Sequence, residues 1–286
     1  MNRILGKIRL FAKEIRFEHS IFALPFALIS MLVEARGLPE WRIFFWIIVA
    51  MVGARSAAMM FNRIADVKID RLNPRTAERA LASGKITPAQ AWVFMLISAG
   101  LTVFAAYKLN TLAFLLSPLA LFALLFYSYT KRFTPFSHLW LGLCLGIAPV
   151  GACVAVRGVI GFASCVLCCA VMLWVAGFDV IYSLQDIDFD RKQGLYSAAS
   201  VLGGKKALAV SGLLHIGTIL FLTAYGLIAD LGPLYFVGVA LSAALLVKEH
   251  LTAPVKINKA FFDINGIMSV TMLAFTGLEV FIGRIL

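Results

Sequence analysis

Nine times along this chain the sequence stays apolar for about 17 to 25 residues, the length a helix needs to cross a bilayer. The runs lie at about 20–36, 41–62, 88–109, 111–130, 136–156, 159–182, 206–229, 232–250 and 261–283. Pro25, inside the first, is tolerated in membrane helices. At 61% hydrophobic and 14% charged, with a mean hydropathy of +0.91, the chain is unlike a soluble domain, where about half the residues are apolar and about a quarter charged. The expectation is an all-α polytopic membrane bundle of nine transmembrane helices, forming one domain over 1–286.

Lys and Arg number 26 against 15 acids. The excess sits in short connections between apolar runs, which points to orientation in the bilayer and contact with lipid or an anionic substrate rather than to nucleic acid. On one side lie only Arg36, Arg42, Lys108, Arg157 and Arg284, and Arg55 falls within a span; every other Lys and Arg falls on the opposite side. That bias predicts an N-in, C-out topology. Residues 1–18 place Ile4, Leu5, Ile8, Phe11, Ala12 and Ile15 on one helical face, away from most of the basic residues, as in a helix lying on the membrane surface. No signal-peptide cleavage pattern follows, so this segment is read as retained. Two long polar segments, 63–87 and 184–205, both fall on the cytoplasmic side, four spans apart, as a duplicated helix unit would place them. The five cysteines lie in apolar runs, and the Cys165-x-x-Cys168-Cys169 group has no partner cluster, so helix packing accounts for them.

Chemistry concentrates in two acidic stretches. The first, NRIADVKID, carries Asn62, Asp66 and Asp70 spaced by four. On a helix this spacing forms one stripe, and it runs into an arginine-rich loop. The second, DVIYSLQDIDFDRKQG, carries Asp179, Asp186 and Asp190, separated by seven and four, which a continuous helix places on one face beside Tyr182; Asp188 points to solvent. A single Asp at such a place would be read as a helix cap. Two tracts on one side, with Asp179 inside the membrane boundary where an ionised group is costly, point to function. Carboxylates facing one another need cations between them, and Mg²⁺ is commonly shared between carboxylates and substrate phosphates. Arg75, Arg79, Lys131 and Arg132 are the candidates to complete neutralisation of a diphosphate. Lys85, Lys205 and Lys206 are explained by topology alone.

These residues resemble the UbiA-type intramembrane prenyltransferases. NRIADVKID followed by NPRTAERALASG is similar to that family's first aspartate motif and arginine loop. DVIYSLQDIDFD is similar to its DxxYxxxDxxxD motif, and YSYTKRFTP to its tyrosine and Lys-Arg element. The likeness covers about residues 16–200. It implies nine helices around a central cavity and a polyprenyl diphosphate donor whose head lies between the motif loops. Asn62, Asp66 and Asp70 would bind one Mg²⁺–diphosphate face, and Asp186 and Asp190 the other. Tyr127, Arg79, Lys131 and Arg132 would contact diphosphate, with Asp179 and Tyr182 completing the catalytic set. Arg55 would suit the carboxylate of a small aromatic acid, and Arg16 is a further anion-contact candidate. Phe61, Phe178 and Tyr182 are nominated to stabilise an allylic cation through their ring faces. The family motif often begins Asn-Asp, whereas this chain has Arg63 at the second position; a subset acting on aromatic acids has a similar Asn-Arg, and EHSIFALPFAL also resembles that subset.

The acceptor favoured by this likeness is 4-hydroxybenzoate, for ubiquinone, with a dihydroxynaphthoate of menaquinone biosynthesis as the alternative. The setting is a bacterial plasma membrane, with membrane lipid as partner. A transporter is the rival from another class, but its sites usually lie near the midplane, whereas these acids gather at one face. His19, His138, His215 and His250 share no metal spacing and are read as packed or interfacial. Asp263 and Asn265 are read as cytoplasmic-interface residues and Glu279 as one near the far face, all without a chemical role.

Overall fold

The computed structural model describes residues 10, 11, 14, 21–253 and 257–282, and every regular element among them is helical. The hydrophobic face expected over residues 1–18, and Arg16 and His19, lie mostly or wholly outside these residues. In chain order the helices are α1 Leu24–Ala35, α2 Trp41–Leu72, α3 Pro88–Leu109, α4 Thr111–Thr130, α5 Ser137–Arg157 and α6 Phe162–Ser183. A 3₁₀ turn, Leu184–Asp186, leads to α7 Ile187–Lys192, then α8 Ala198–Leu202, α9 Gly204–Ile228, α10 Pro233–Thr252 and, after short helical turns, α11 Asn265–Ile282.

Eight helical stretches among the described residues are long and apolar enough to cross a membrane. The expected first span, 20–36, is shorter: α1 has 12 residues. A second departure concerns α2. The expected span ended at residue 62 with a loop from 63, yet the helix continues to Leu72, over 32 residues. No Gly or Pro interrupts the chain between Gly53 and Pro74, and the residue before a proline disfavours helix. The Asn73-Pro74 pair therefore ends α2, and the first acidic stretch is entirely helical.

The chain divides into two compact units, Met1–Ser20 with Phe45–Tyr129, and Ile21–Phe44 with Thr130–Leu286. In the first, Ala57 and Met60 of α2 pack with Ala91 and Met95 of α3 and with Leu81 and Ile86 of the intervening loop. Phe11 stacks on Phe94 with ring centroids 4.7 Å apart. The Thr87 hydroxyl and the Gln90 side chain form a capping box that starts α3.

In the second unit, α5 and α6 run antiparallel. Apolar burial drives little association in lipid, so helices gain from close packing of small residues. A Cβ added at Gly142 would collide with the Met172 carbonyl, and one at Gly146 would come within 2.7 Å of the Cys168 carbonyl. Phe26, Trp174, Phe178, Met268 and Met272 build the core around this pair. A buried polar chain crosses it: Trp174 Nε1 donates to Asn265 Oδ1 at 2.7 Å, and Asn265 Nδ2 donates to Glu249 Oε1 at 2.6 Å. Asn265, expected at an interface, is fully buried because it satisfies both partners at once; Asp263 is exposed. Glu279 accepts from the Leu234 N–H at 3.0 Å and so caps the first turn of α10. His215 and His250 meet ring to ring, Nδ1 to Nε2, at 3.0 Å.

Candidate active site

The last three turns of α2 present the first acidic stretch. Asn62 Nδ2 donates to Asp66 Oδ2 at 3.1 Å, the i to i+4 contact that their spacing predicts. Arg63 is 4% exposed. Its Nη1 donates to Asn62 Oδ1 at 3.2 Å and its Nε to the Glu14 backbone carbonyl at 3.4 Å. At the position where the sequence departs from the family motif, Arg63 thus contacts the Asn62 amide and the Glu14 backbone.

The loop after α2 folds back on its own helix. Asn73 Oδ1 accepts from the Arg75 N–H at 3.0 Å, and the Thr76 hydroxyl donates to the Asp70 carbonyl at 3.0 Å. That reversal returns Arg79 to Asp70, where Nη1 donates to both carboxylate oxygens. Glu14 secures the following turn, accepting from the N–H groups of Ala80 at 2.8 Å and Leu81 at 3.4 Å. Arg75 is exposed. Arg55 lies two turns before Asn62 on α2 and Tyr127 lies on α4, both half-buried. Phe61 packs edge-on against Trp92 and Tyr129. Glu14 was missed in the sequence; its only signal is that it is one of two acids, with Glu18, in a basic segment.

In the second unit the expected single helical face over Asp179, Asp186 and Asp190 is replaced by a break. The Ser183 hydroxyl turns back to the Val180 carbonyl at 2.7 Å, competing with the helix ladder, and the 3₁₀ turn follows. Asp179 stays in α6, Asp186 closes the turn and Asp190 lies in α7. Asp186 and Asp190 are 8% and 3% exposed, and Asp190 Oδ2 is buried with no hydrogen-bond partner among the described residues. The Ser197 side chain hydrogen-bonds Asp190, and the charge of Lys131 acts on both Asp179 and Asp190. The Lys131 carbonyl accepts from the Tyr196 N–H at 2.7 Å, tying the Lys-Arg element to the acidic loop. Arg132 is exposed. The Tyr182 ring lies 4.2 Å from that of Phe261, while Phe178 is buried among Phe22, Trp174 and Phe261.

His138, read from the sequence as a packed residue, stands at the centre of this half. Its Nδ1 is 2.7 Å from Asp179 Oδ2, and its Nε2 accepts from the Ala198 N–H at 3.1 Å. No cluster of three or more His, Cys, Asp or Glu among the described residues is arranged to hold a metal alone. The donors present are oxygens, one of them a buried orphan. Such a set fits Mg²⁺, which takes most of its ligands from water and substrate phosphate rather than from an all-protein cage.

Residues 23–267 match the UbiA prenyltransferase family, a stretch that runs through both units. A 4-hydroxybenzoate octaprenyltransferase of Vibrio campbellii is 30% identical over 223 residues, covering 78% of each chain. One of Francisella tularensis subsp. novicida is 30% identical over 224 residues, again with 78% of each covered. The apo structure of a UbiA homolog from Aeropyrum pernix K1 superposes with a TM-score of 0.83 at 38% identity, covering 90% of this chain and 96% of that one. A UbiA homolog from Archaeoglobus fulgidus bound to DMAPP and Mg²⁺ shares the fold, with a TM-score of 0.72 at 18% identity over 95% and 99% of the chains. The chain belongs to the UbiA prenyltransferase family and is a multi-pass membrane prenyltransferase.

Proposed function

We propose that the protein transfers a polyprenyl group from its diphosphate to the ring of 4-hydroxybenzoate, with Mg²⁺, at the cytoplasmic face of a bacterial plasma membrane. The observation that carries this reading is the 30% identity, over most of both chains, to relatives named 4-hydroxybenzoate octaprenyltransferase. It is supported by oxygen donors on both acidic stretches, and by the Mg²⁺ in the Archaeoglobus fulgidus homolog.

Asp66, Asp70, Asp186 and Asp190, with the amide of Asn62, would hold Mg²⁺ with the diphosphate. When bound, Mg²⁺ shields the diphosphate oxygens and stabilises charge on the leaving group. Arg79, Lys131, Tyr127, Arg75 and Arg132 bind the remaining oxygens. The C1–O bond of the donor breaks with its electron pair leaving on diphosphate, and an allylic cation develops at C1. Tyr182 stabilises that cation by its ring face. Arg55 pairs with the acceptor carboxylate and orients the ring, whose carbon attacks C1 to form the new C–C bond. Asp179 takes the ring proton, which restores aromaticity. Apolar surroundings exclude the water that would quench the cation.

Membranes carrying the protein, supplied with Mg²⁺, a polyprenyl diphosphate and a panel of aromatic acids, test the proposal. Prenylated 4-hydroxybenzoate is expected, and Asp66→Ala or Asp186→Ala should abolish it. Full activity in either variant, or uptake of substrate without product, would overturn the reading.

A further inference from the structure

His138 has two partners, and one of them is a backbone amide. The Ala198 N–H can only donate, so His138 Nε2, 3.1 Å away, must carry a lone pair. The ring then has its single proton on Nδ1, pointing at Asp179 Oδ2 across 2.7 Å. An imidazolium is excluded because it would set an N–H against the Ala198 N–H. The same reasoning leaves no proton on the Asp179 oxygen that accepts. His138 is therefore a neutral ring that donates to Asp179 Oδ2, a bond that favours the carboxylate form of Asp179.

This separates Asp179 from Asp70. Asp70 has both of its oxygens taken up by the Arg79 guanidinium. Asp179 is fixed by a hydrogen bond that leaves its charge uncancelled by its nearest partner. The opposite edge of the same ring anchors the start of α8, which follows Ser197, the residue that hydrogen-bonds Asp190. One imidazole thus sets the rotamer of Asp179 and the placement of the loop behind Asp190.

The geometry points to His138 as the positioning residue of the proton-removal step: its Nδ1–H holds Asp179 anionic and aimed, while its Nε2 ties down the acidic loop. This inference rests on the prenyl-transfer reading above. Two substitutions divide the two edges of the ring. An Asn amide can overlay Nδ1 and still donate to Asp179, whereas a Gln carbonyl reaches the place of Nε2 and accepts only from Ala198.

The test uses membranes carrying the full chain, Mg²⁺, a polyprenyl diphosphate and 4-hydroxybenzoate with protium or deuterium on the ring. His138→Gln should lower kcat by about 10²-fold or more with little change in either KM. Ring deuteration should then slow this variant measurably while leaving wild type unaffected, because proton loss has become the slow step. His138→Asn should recover most of kcat and lose the isotope effect. Retained Mg²⁺-dependent binding of polyprenyl diphosphate shows that each variant is folded. Wild-type kcat in His138→Gln, or equal losses in both variants without an isotope effect, would overturn the inference alone. Absence of product from wild type on the whole acid panel would overturn the prenyl-transfer reading itself, and the inference with it.

Discussion

Arg79 Nη1 lies 2.7 Å from Asp70 Oδ1 and 2.8 Å from Asp70 Oδ2, so a single nitrogen bridges both oxygens of a nearly buried carboxylate. Removing the guanidinium leaves that carboxylate with its desolvation uncompensated. Arg79→Ala should destabilise the protein by about 1–3 kcal/mol, and Arg79→Ala with Asp70→Asn should cost less than the two single changes together. A double-mutant cycle followed by thermal unfolding in detergent checks this; additive effects would dissolve the pair as an energetic unit. The same Arg79→Ala change should raise KM for the polyprenyl diphosphate.

Glu14 is the only described residue of the N-terminal segment that accepts hydrogen bonds from the loop after α2. Glu14→Ala strands two backbone N–H groups, at a cost of about 1–3 kcal/mol. Faster hydrogen exchange at Ala80 and Leu81, and faster proteolysis between residues 75 and 85, are the expected signs. Unchanged exchange there would mean that the segment does not restrain the loop.

In the proposed reaction Arg55 pairs with the acceptor rather than with the donor. Loss of a charged hydrogen bond of about 1.5–3 kcal/mol predicts that Arg55→Ala raises KM for 4-hydroxybenzoate by about ten- to a hundredfold, while KM for the donor stays put. A matching rise in donor KM would reassign the residue to diphosphate.

Asp190→Ala removes the buried orphan oxygen at the second stretch. Steady-state assays should show kcat/KM lower by about 10²-fold or more, with a higher Mg²⁺ requirement, and chelation of Mg²⁺ should silence wild type reversibly. Activity persisting in chelator would rule out the metal.

What could be read in advance follows from how far apart the interacting residues are. The apolar runs were legible because lipid imposes length and composition on each helix separately. The Asn62–Asp66 contact was legible because helix geometry alone sets it. Beyond one or two turns the reading failed. Asp70 meets Arg79 only because Asn73 and Thr76 reverse the chain between them. His138 and Asp179 are 41 positions apart, and Asn265 and Trp174 are 91 apart, so only the packing of whole helices pairs them. The break after Ser183 escaped notice because no Gly or Pro marks it; a hydroxyl competing for a carbonyl does the work.

Gly142 and Gly146 follow His138 at intervals of four along α5, and they touch α6 at Met172 and Cys168 while His138 touches it at Asp179. The missing methyl groups thus act as a gauge for a hydrogen bond one and two turns away. Widening the seam by the thickness of one carbon would lengthen the His138–Asp179 contact beyond bonding reach. A change from glycine to alanine at Gly146, far in sequence from either acidic stretch, would then present as a catalytic lesion in a protein that still folds and inserts.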